Sequence, residues 1–264
     1  MKKIISLFFL FTTAYAHAGV DVYRSDTTIL GLEKNQKTNL TTSTLLGGSN
    51  DVGAASLADC SVKYKLETKN KNYEGSLIPF STDLMGYDST SKNVALFEVD
   101  KKIITFTTNE PIDVCALGTD FTGDYSLVNS TSKEYKTDFD SLIQLNHTNA
   151  LHIFKTSGAL EASIALEPYV SESISNGLYY EEILNDYAFF LQQASLNKDA
   201  VNILKLVIEK SPLRTVAYLN VADAIWDEGD KKAASRYYKQ YISQMRKNNH
   251  IDKIPKRAFD RSLY

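Results

Sequence analysis

The chain of 264 residues is 43% hydrophobic and 23% charged, with 16 Tyr and 12 Phe, a composition near the globular average that excludes wholesale disorder. At about 150 residues per domain it holds one large or two modest domains. A formal net charge of −3 argues against a nucleic-acid partner, which calls for a concentrated basic face.

Residues 1–18 read as a secretory signal peptide. Lys2 and Lys3 supply the basic start, 4–11 is apolar apart from Ser6, and Ala14-Tyr15-Ala16 and Ala16-His17-Ala18 place small residues at the cleavage positions. The apolar run is shorter than the ~20 residues that span a bilayer, and no other segment reaches that length. The chain is therefore expected to be exported, periplasmic or secreted, with no transmembrane segment. No Cys stands near the cleavage site to carry a lipid. Cys60 and Cys115 are an even pair in an oxidising compartment and are expected to form a structural disulfide. Closing a loop of about 56 residues, it contributes roughly 4 kcal/mol in the chain-entropy model. A catalytic thiol wants a nearby His base and a metal wants more ligands, and the spacing supports neither.

Residues 19–177 are rich in Thr, Ser, Asn and Gly and are expected to form a mainly antiparallel β domain. Cys60, Val62, Tyr64 and Leu66 alternate with Ser61, Lys63, Lys65 and Glu67, as in a half-buried strand. Segments 94–99 and 103–108 are β-branched and aromatic, and 100–102 between them is short enough for a hairpin. Segments 113–117 and 151–155 read as further strands, and 46–51 and 118–120 as turns. Both cysteines thus fall on expected strands.

Catalytic signatures are missing: the sequence has no G-x-S-x-G elbow, P-loop, H-E-x-x-H or dinucleotide fingerprint. No cofactor or metal is implied. His147 and His152 are five residues apart and poorly aligned for one metal. The pairs Asp120/Asp124 and Asp138/Asp140 lack calcium-loop spacing and read as solvated turns. Asn39, Asn129 and Asn146 fit the glycan acceptor pattern, as chance allows in so Thr-rich a chain.

From about residue 178 the periodicity becomes helical and repeats. Leu184, Tyr187, Ala188, Leu191, Ala200 and Leu204 are matched 34 residues later by Tyr218, Val221, Ala222, Ile225, Ala234 and Tyr238. Ala188 with Ala200, and Ala222 with Ala234, fit the close approaches of two helical hairpins. Over about 181–246 this resembles the tetratricopeptide repeat, although Leu184 and Tyr218 replace its usual Trp, Tyr241 replaces a small residue and Arg246 stands where Pro is common. The expected fold is α+β: a signal peptide (1–18), a β-rich domain with one disulfide (19–177), and a tetratricopeptide-like hairpin pair with a capping helix (178–264). Residues 19–177 hold 21 acidic and 13 basic side chains and 178–264 hold 11 and 14, so opposite charge favours docking of the halves.

The resemblance implies a concave groove for a partner's peptide or helix, lined by Asn185, Phe189, Gln192 and Gln193, then Leu219, Asn220, Asp223 and Trp226. Trp226 either anchors that partner or packs against the β domain or capping element. The end of the chain, 214–257, also looks like small exported bacterial repeat proteins, some of them immunity proteins against toxins. The expected function is a non-enzymatic, exported protein-binding module whose partner is a toxin, an enzyme or an envelope subunit. The alternatives are a β-domain enzyme or carbohydrate-binding protein braced by the repeats, and an envelope-assembly scaffold.

Overall fold

The computed structural model describes residues 19–35, 37–47, 60–82, 85–87, 93–116 and 119–264; the expected signal peptide and part of the 46–51 turn lie outside them. The strands are β1 (Gly19–Arg24), β2 (Thr28–Lys34), β3 (Thr41–Gly47), β4 (Ser61–Lys69), β5 (Asn72–Ile78), β6 (Phe80–Ser81), β7 (Gly86–Tyr87), β8 (Val94–Asp100), β9 (Ile103–Thr108) and β10 (Gly123–Leu127). Eight of them close an antiparallel barrel in the order β1, β2, β3, β4, β5, β8, β9, β10 and back to β1. Each barrel strand pairs with the next along the chain, interrupted only where the small β6–β7 pair intervenes. Closure is made by Tyr23 opposite Leu127 and Arg24 opposite Ser126.

Side-chain alternation decides what fills the barrel. Val62, Tyr64 and Leu66 of β4 join Leu30, Leu45, Phe97, Phe106 and Tyr125 in one buried interior cluster. Tyr64, Phe97 and Phe106 meet edge to face, with ring centroids 5.0–5.8 Å apart, the geometry that the ring quadrupoles favour. Gly75 is needed beside them, because a Cβ there would lie 2.8 Å from the Phe97 ring. The interior is a packed aromatic core.

Cys60 and Cys115 stand at disulfide distance, with Cα atoms 5.7 Å apart. Neither is on a strand. Cys60 directly precedes β4, and Cys115 lies in a turn whose N–H reaches the Ile112 carbonyl at 3.3 Å. The bridge therefore holds the segment after β9 against the barrel interior, where Ile112 and Phe121 are also buried. The described part of the expected 113–117 strand is this turn and its exit.

Seven α-helices follow: α1 (Lys133–Thr156), α2 (Ala159–Ser175), α3 (Glu181–Gln193), α4 (Asn197–Lys210), α5 (Thr215–Asp227), α6 (Lys231–Lys247) and α7 (Lys256–Arg261), with a 3₁₀ turn at Ile251–Lys253. Ser132 caps α1 by accepting the Tyr135 N–H, and Asp230 caps α6 by accepting that of Ala233. Each helix packs on its neighbours in sequence, and α1 and α2 also pack on the barrel. The outward side chains of Val20, Val22, Ile29 and Leu46 enter one cluster with Phe139, Leu142, Leu166, Tyr169, Leu184 and Leu204.

The expected fold is corrected in two respects. The β portion is a closed barrel, and the change from strand to helix falls at Lys133 instead of near residue 178. Segment 151–155 lies inside α1, and the helical portion has seven helices beginning with α1 and α2 where a hairpin pair with a capping helix was expected; they are not shown to be tetratricopeptide-like. The buried stripe of Tyr135, Phe139, Leu142, Ile143 and Ala150 has helical spacing, and it overrides the β-leaning Thr and Asn content of 133–156. The alanines at the 34-residue interval, Ala188, Ala200, Ala222 and Ala234, are all fully buried.

Because barrel and helices share a core, a chain ending at residue 177 strips apolar cover from α1 and α2. It is expected to aggregate or to lose cooperative thermal unfolding, as read by circular dichroism and size-exclusion chromatography. A monodisperse, cooperatively melting fragment would show that the two parts fold independently.

Candidate functional site

Three side-chain groups invite a functional reading. The first lies at the seam between barrel and helices. Lys63, expected on the solvent face of β4, is buried, and its ammonium reaches Glu33 Oε2 and Asn146 Oδ1 at 2.6 Å each and Thr44 Oγ1 at 3.1 Å. Glu33 in turn accepts hydrogen bonds from Thr42, Thr44 and, at 2.7 Å, Tyr169. Asn146 is oriented by donating to the Leu142 carbonyl at 3.0 Å. A lysine beside a glutamate is chemically capable of proton transfer, but the Lys63 and Glu33 side chains are 5% and 1% exposed. All three ammonium protons and both carboxylate oxygens are engaged, so the pair is sealed from any substrate and joins β2, β3 and β4 to α1 and α2. Asn146 is likewise inaccessible to a glycosylating enzyme.

The second group contains two of the eight expected groove residues, Asp223 and Trp226, and the others are spread over α3 and α5 without converging on them. Asp223 accepts Tyr238 Oη at 2.5 Å, a two-pronged bond from Arg257 with its shortest contact at 2.8 Å, and Arg261 Nη1 at 3.1 Å. Trp226 is half-buried under Tyr264, whose ring centroid is 5.0 Å away, and Arg261, whose guanidinium carbon is 4.8 Å away. Trp226 also meets Tyr238 and Lys231 of α6, with the Tyr238 ring centroid at 6.3 Å and the Lys231 ammonium at 5.3 Å. Phe189 packs edge to face on Phe154 of α1 at 5.6 Å. Asn185 and Asn220 are buried, Gln192 and Leu219 are half-buried, and Gln193 is exposed. Asn185 Oδ1 is buried with no hydrogen-bond partner.

The remaining polar candidates hold the fold. His147 Nε2 lies 3.0 Å from Asp186 of α3, while His152 is exposed. Asp120 accepts the Thr122 N–H at 2.8 Å in a turn. Asp138 and Asp140 sit in α1, not in a turn: Asp138 is fully buried beneath Arg24 at 2.8 Å, and Asp140 accepts from the Tyr180 hydroxyl. Among the described residues no three His, Cys, Asp or Glu side chains converge as metal ligands, and no helix is long and apolar enough to cross a membrane.

The third group is the outer face of α6, which the sequence reading passed over. Lys232, Arg236, Lys239, Arg246 and Lys247 are all exposed, and the offsets 0, 4, 7, 14 and 15 place them on one stripe of the helix, about 22 Å long at 1.5 Å per residue. None of the five takes part in an ion pair among the described residues. The opposite face of α6 carries Ala234, Tyr238, Tyr241 and Ile242 into a buried cluster with α5 and α7. Like charges at i,i+4 destabilise a helix by about 0.2–0.5 kcal/mol per pair, and Lys232 also opposes the positive end of the macrodipole. The stripe is thus held at some cost to the isolated helix. Its signal in sequence is six basic and no acidic residues over Lys231–Lys247.

No family model, no curated protein and no solved structure matches this chain.

Lys63→Met is expected to lose about 3–5 kcal/mol, since it leaves the Glu33 charge buried without its cation. Adding Glu33→Gln is expected to recover much of that loss in denaturant titrations; equal losses for single and double variants would contradict the pairing. Burial also holds the Glu167 carboxyl above the usual carboxylate range, although Ser171 donates to it at 2.8 Å. The corresponding stability is complete below the unfolded-state pKa and is lost as pH rises through the folded one. Glu167→Gln is therefore expected to raise Tm relative to the parent at about pH 8 and to give no gain near pH 4; a pH-independent difference would contradict it.

Proposed function

We propose that this is an exported, periplasmic or secreted, non-enzymatic binding protein that docks an acidic protein partner on the outer face of α6. The observation that carries the reading is the stripe of five exposed, unpaired cations on a helix whose other face is fixed in the core. Complementary charge steers encounter and fixes register between proteins. The packed barrel interior adds support, since its volume is filled by side chains where a ligand-binding barrel keeps a cavity. The disulfide-distance pair Cys60 and Cys115 accords with an oxidising compartment. An exported toxin, enzyme or envelope subunit with an acidic face meets these requirements, and inhibition or immunity is the corresponding role.

The test is capture of a partner from envelope extract by the parent and by the triple variant Lys232→Glu, Arg236→Glu and Lys239→Glu. The far-ultraviolet circular dichroism of both confirms folding. A specific protein is expected to be recovered at low salt, weakened at about 0.5 M salt and reduced at least ~tenfold by the variant. Equal recovery by parent and variant would remove the α6 surface from the reading. Binding to phosphatidylglycerol vesicles with no protein recovered would overturn the protein partner in favour of an anionic lipid surface.

A further inference from the structure

A cleft lies on the outer wall of the barrel, beside the seam that closes it. Arg24 stands directly opposite Ser126 where β1 meets β10. Because Tyr23 and Tyr125 turn into the barrel interior, alternation puts Arg24, Asp124 and Ser126 on the outward face. Asp124 is the diagonal neighbour of Arg24, about 7–8 Å away across the sheet and within reach of long side chains. The turn after β1 adds Asp26 and the first turn of α1 adds Glu134, and together they bound a volume of about 640 Å³. Small-molecule sites commonly span about 300–1,000 Å³.

The charges that line this cleft do not pair with one another. Among the described residues the Arg24 side chain makes one polar contact, from Nη1 to Asp138 Oδ1 at 2.8 Å. Asp138 is fully buried and its Oδ2 has no hydrogen-bond partner, so it anchors the guanidinium from behind and leaves the rest of that five-donor fork uncommitted. On the other walls, Asp124 accepts the Thr105 hydroxyl at 2.6 Å and Asp26 is exposed. Hydrogen bonds from its own N–H and from Ser132 hold the Glu134 carboxyl below the usual carboxylate range. None of these three carboxylates takes part in an ion pair among the described residues. One anchored cation and three anions thus share a cavity while staying too far apart to neutralise each other.

We propose that this cleft binds a small zwitterion with surplus positive charge, of which the free basic amino acid lysine is the simplest example. Its carboxylate takes the uncommitted edge of Arg24, whose planar fork matches a carboxylate with two parallel hydrogen bonds. Ser126, exposed directly opposite Arg24, offers its hydroxyl to the same group. The ammonium groups of the ligand take Asp124, Asp26 and Glu134, and Val128 in the cleft wall meets the methylenes between. Three acids to one base disfavour a ligand that is only an anion, and an anchored guanidinium favours a ligand that carries a carboxylate over a plain diamine. No residue of α6 lines the cleft, so this site is separate from the surface proposed for the protein partner and stands or falls independently of it.

The test is calorimetric titration of the whole protein at low salt with three probes: lysine, cadaverine, which lacks the carboxylate, and Nα-acetyllysine, which lacks the α-ammonium. Lysine is expected to bind at least ~tenfold more tightly than either of the others, and to weaken in about 0.5 M salt because the charges are exposed. Asp124→Asn is expected to weaken lysine and cadaverine alike. Arg24→Gln is expected to abolish the preference for lysine over cadaverine. Should that variant fail to fold once Asp138 loses its cation, Ser126→Glu makes the same point by setting a carboxylate opposite Arg24, and it is expected to weaken lysine ~tenfold with a cooperative thermal transition retained. Cadaverine bound as tightly as lysine by the parent would reduce the cleft to an acidic patch and overturn the proposal. Lysine that gives no heat at millimolar concentration, or an affinity unmoved by both Asp124→Asn and Ser126→Glu, would overturn the site itself.

Discussion

The contact between Lys63 and Glu33 is the constraint on which the two parts of this molecule depend. The outer surface of a small barrel is ordinarily solvated, and here one sector of it is dry. An ion pair placed there has lost most of its hydration and is stable only while each charge is matched by geometry and by further hydrogen bonds. Thr42, Thr44 and Tyr169 complete the carboxylate, and Asn146 and Thr44 complete the ammonium. Since these partners come from three strands and two helices, α1 and α2 satisfy the network in one seating only. Apolar contacts supply the bulk of the attraction, and the polar network selects the register.

Around that seam the molecule is organised as three connected clusters. The barrel interior is aromatic and self-contained. A second cluster runs from the outer faces of β1, β2 and β3 through α1 to α5, and a third closes the far end around Tyr218, Tyr238 and Ile254. The Asp223 contacts with Arg257 and Arg261 fasten α7 over this last cluster. The halves meet mainly through this buried apolar surface and through pairs such as Arg24 with Asp138. Opposite net charge, the attraction expected from the sequence, contributes individual ion pairs and is secondary.

Much of the β portion was legible because alternation survives locally. The runs at 60–66, 94–99 and 103–108 became β4, β8 and β9, and the short link at 100–102 became the turn between β8 and β9. What escaped depends on tertiary context. In α1, residues such as Thr137, Asn146 and Thr148 lower helix propensity, and the apolar stripe beneath them outweighs it. Lys63 reads as solvent-facing because alternation reports the side of a strand and cannot report what covers that side. The residues assigned to a groove by resemblance, Asn185, Asn220 and Asp223 among them, lie on helix faces that α7 and neighbouring helices bury. The cations of α6 were absorbed into a net charge for the whole C-terminal portion, and their arrangement on one stripe emerges only when the helix is drawn.

The barrel's strand order carries a kinetic meaning as well. Seven of its eight strand pairings join strands adjacent or nearly so along the chain, whereas the eighth joins β1 to β10, across roughly a hundred residues. Such a pairing waits on a long loop closure and forms slowly compared with the local hairpins. In a chain that emerges from its N-terminus, β1 is thus the first of the eight barrel strands to appear and the last to gain both neighbours. Until β10 and α2 arrive it presents an open strand edge, and the vulnerable interval in the life of this protein is the one before its own beginning and the middle of its chain have met.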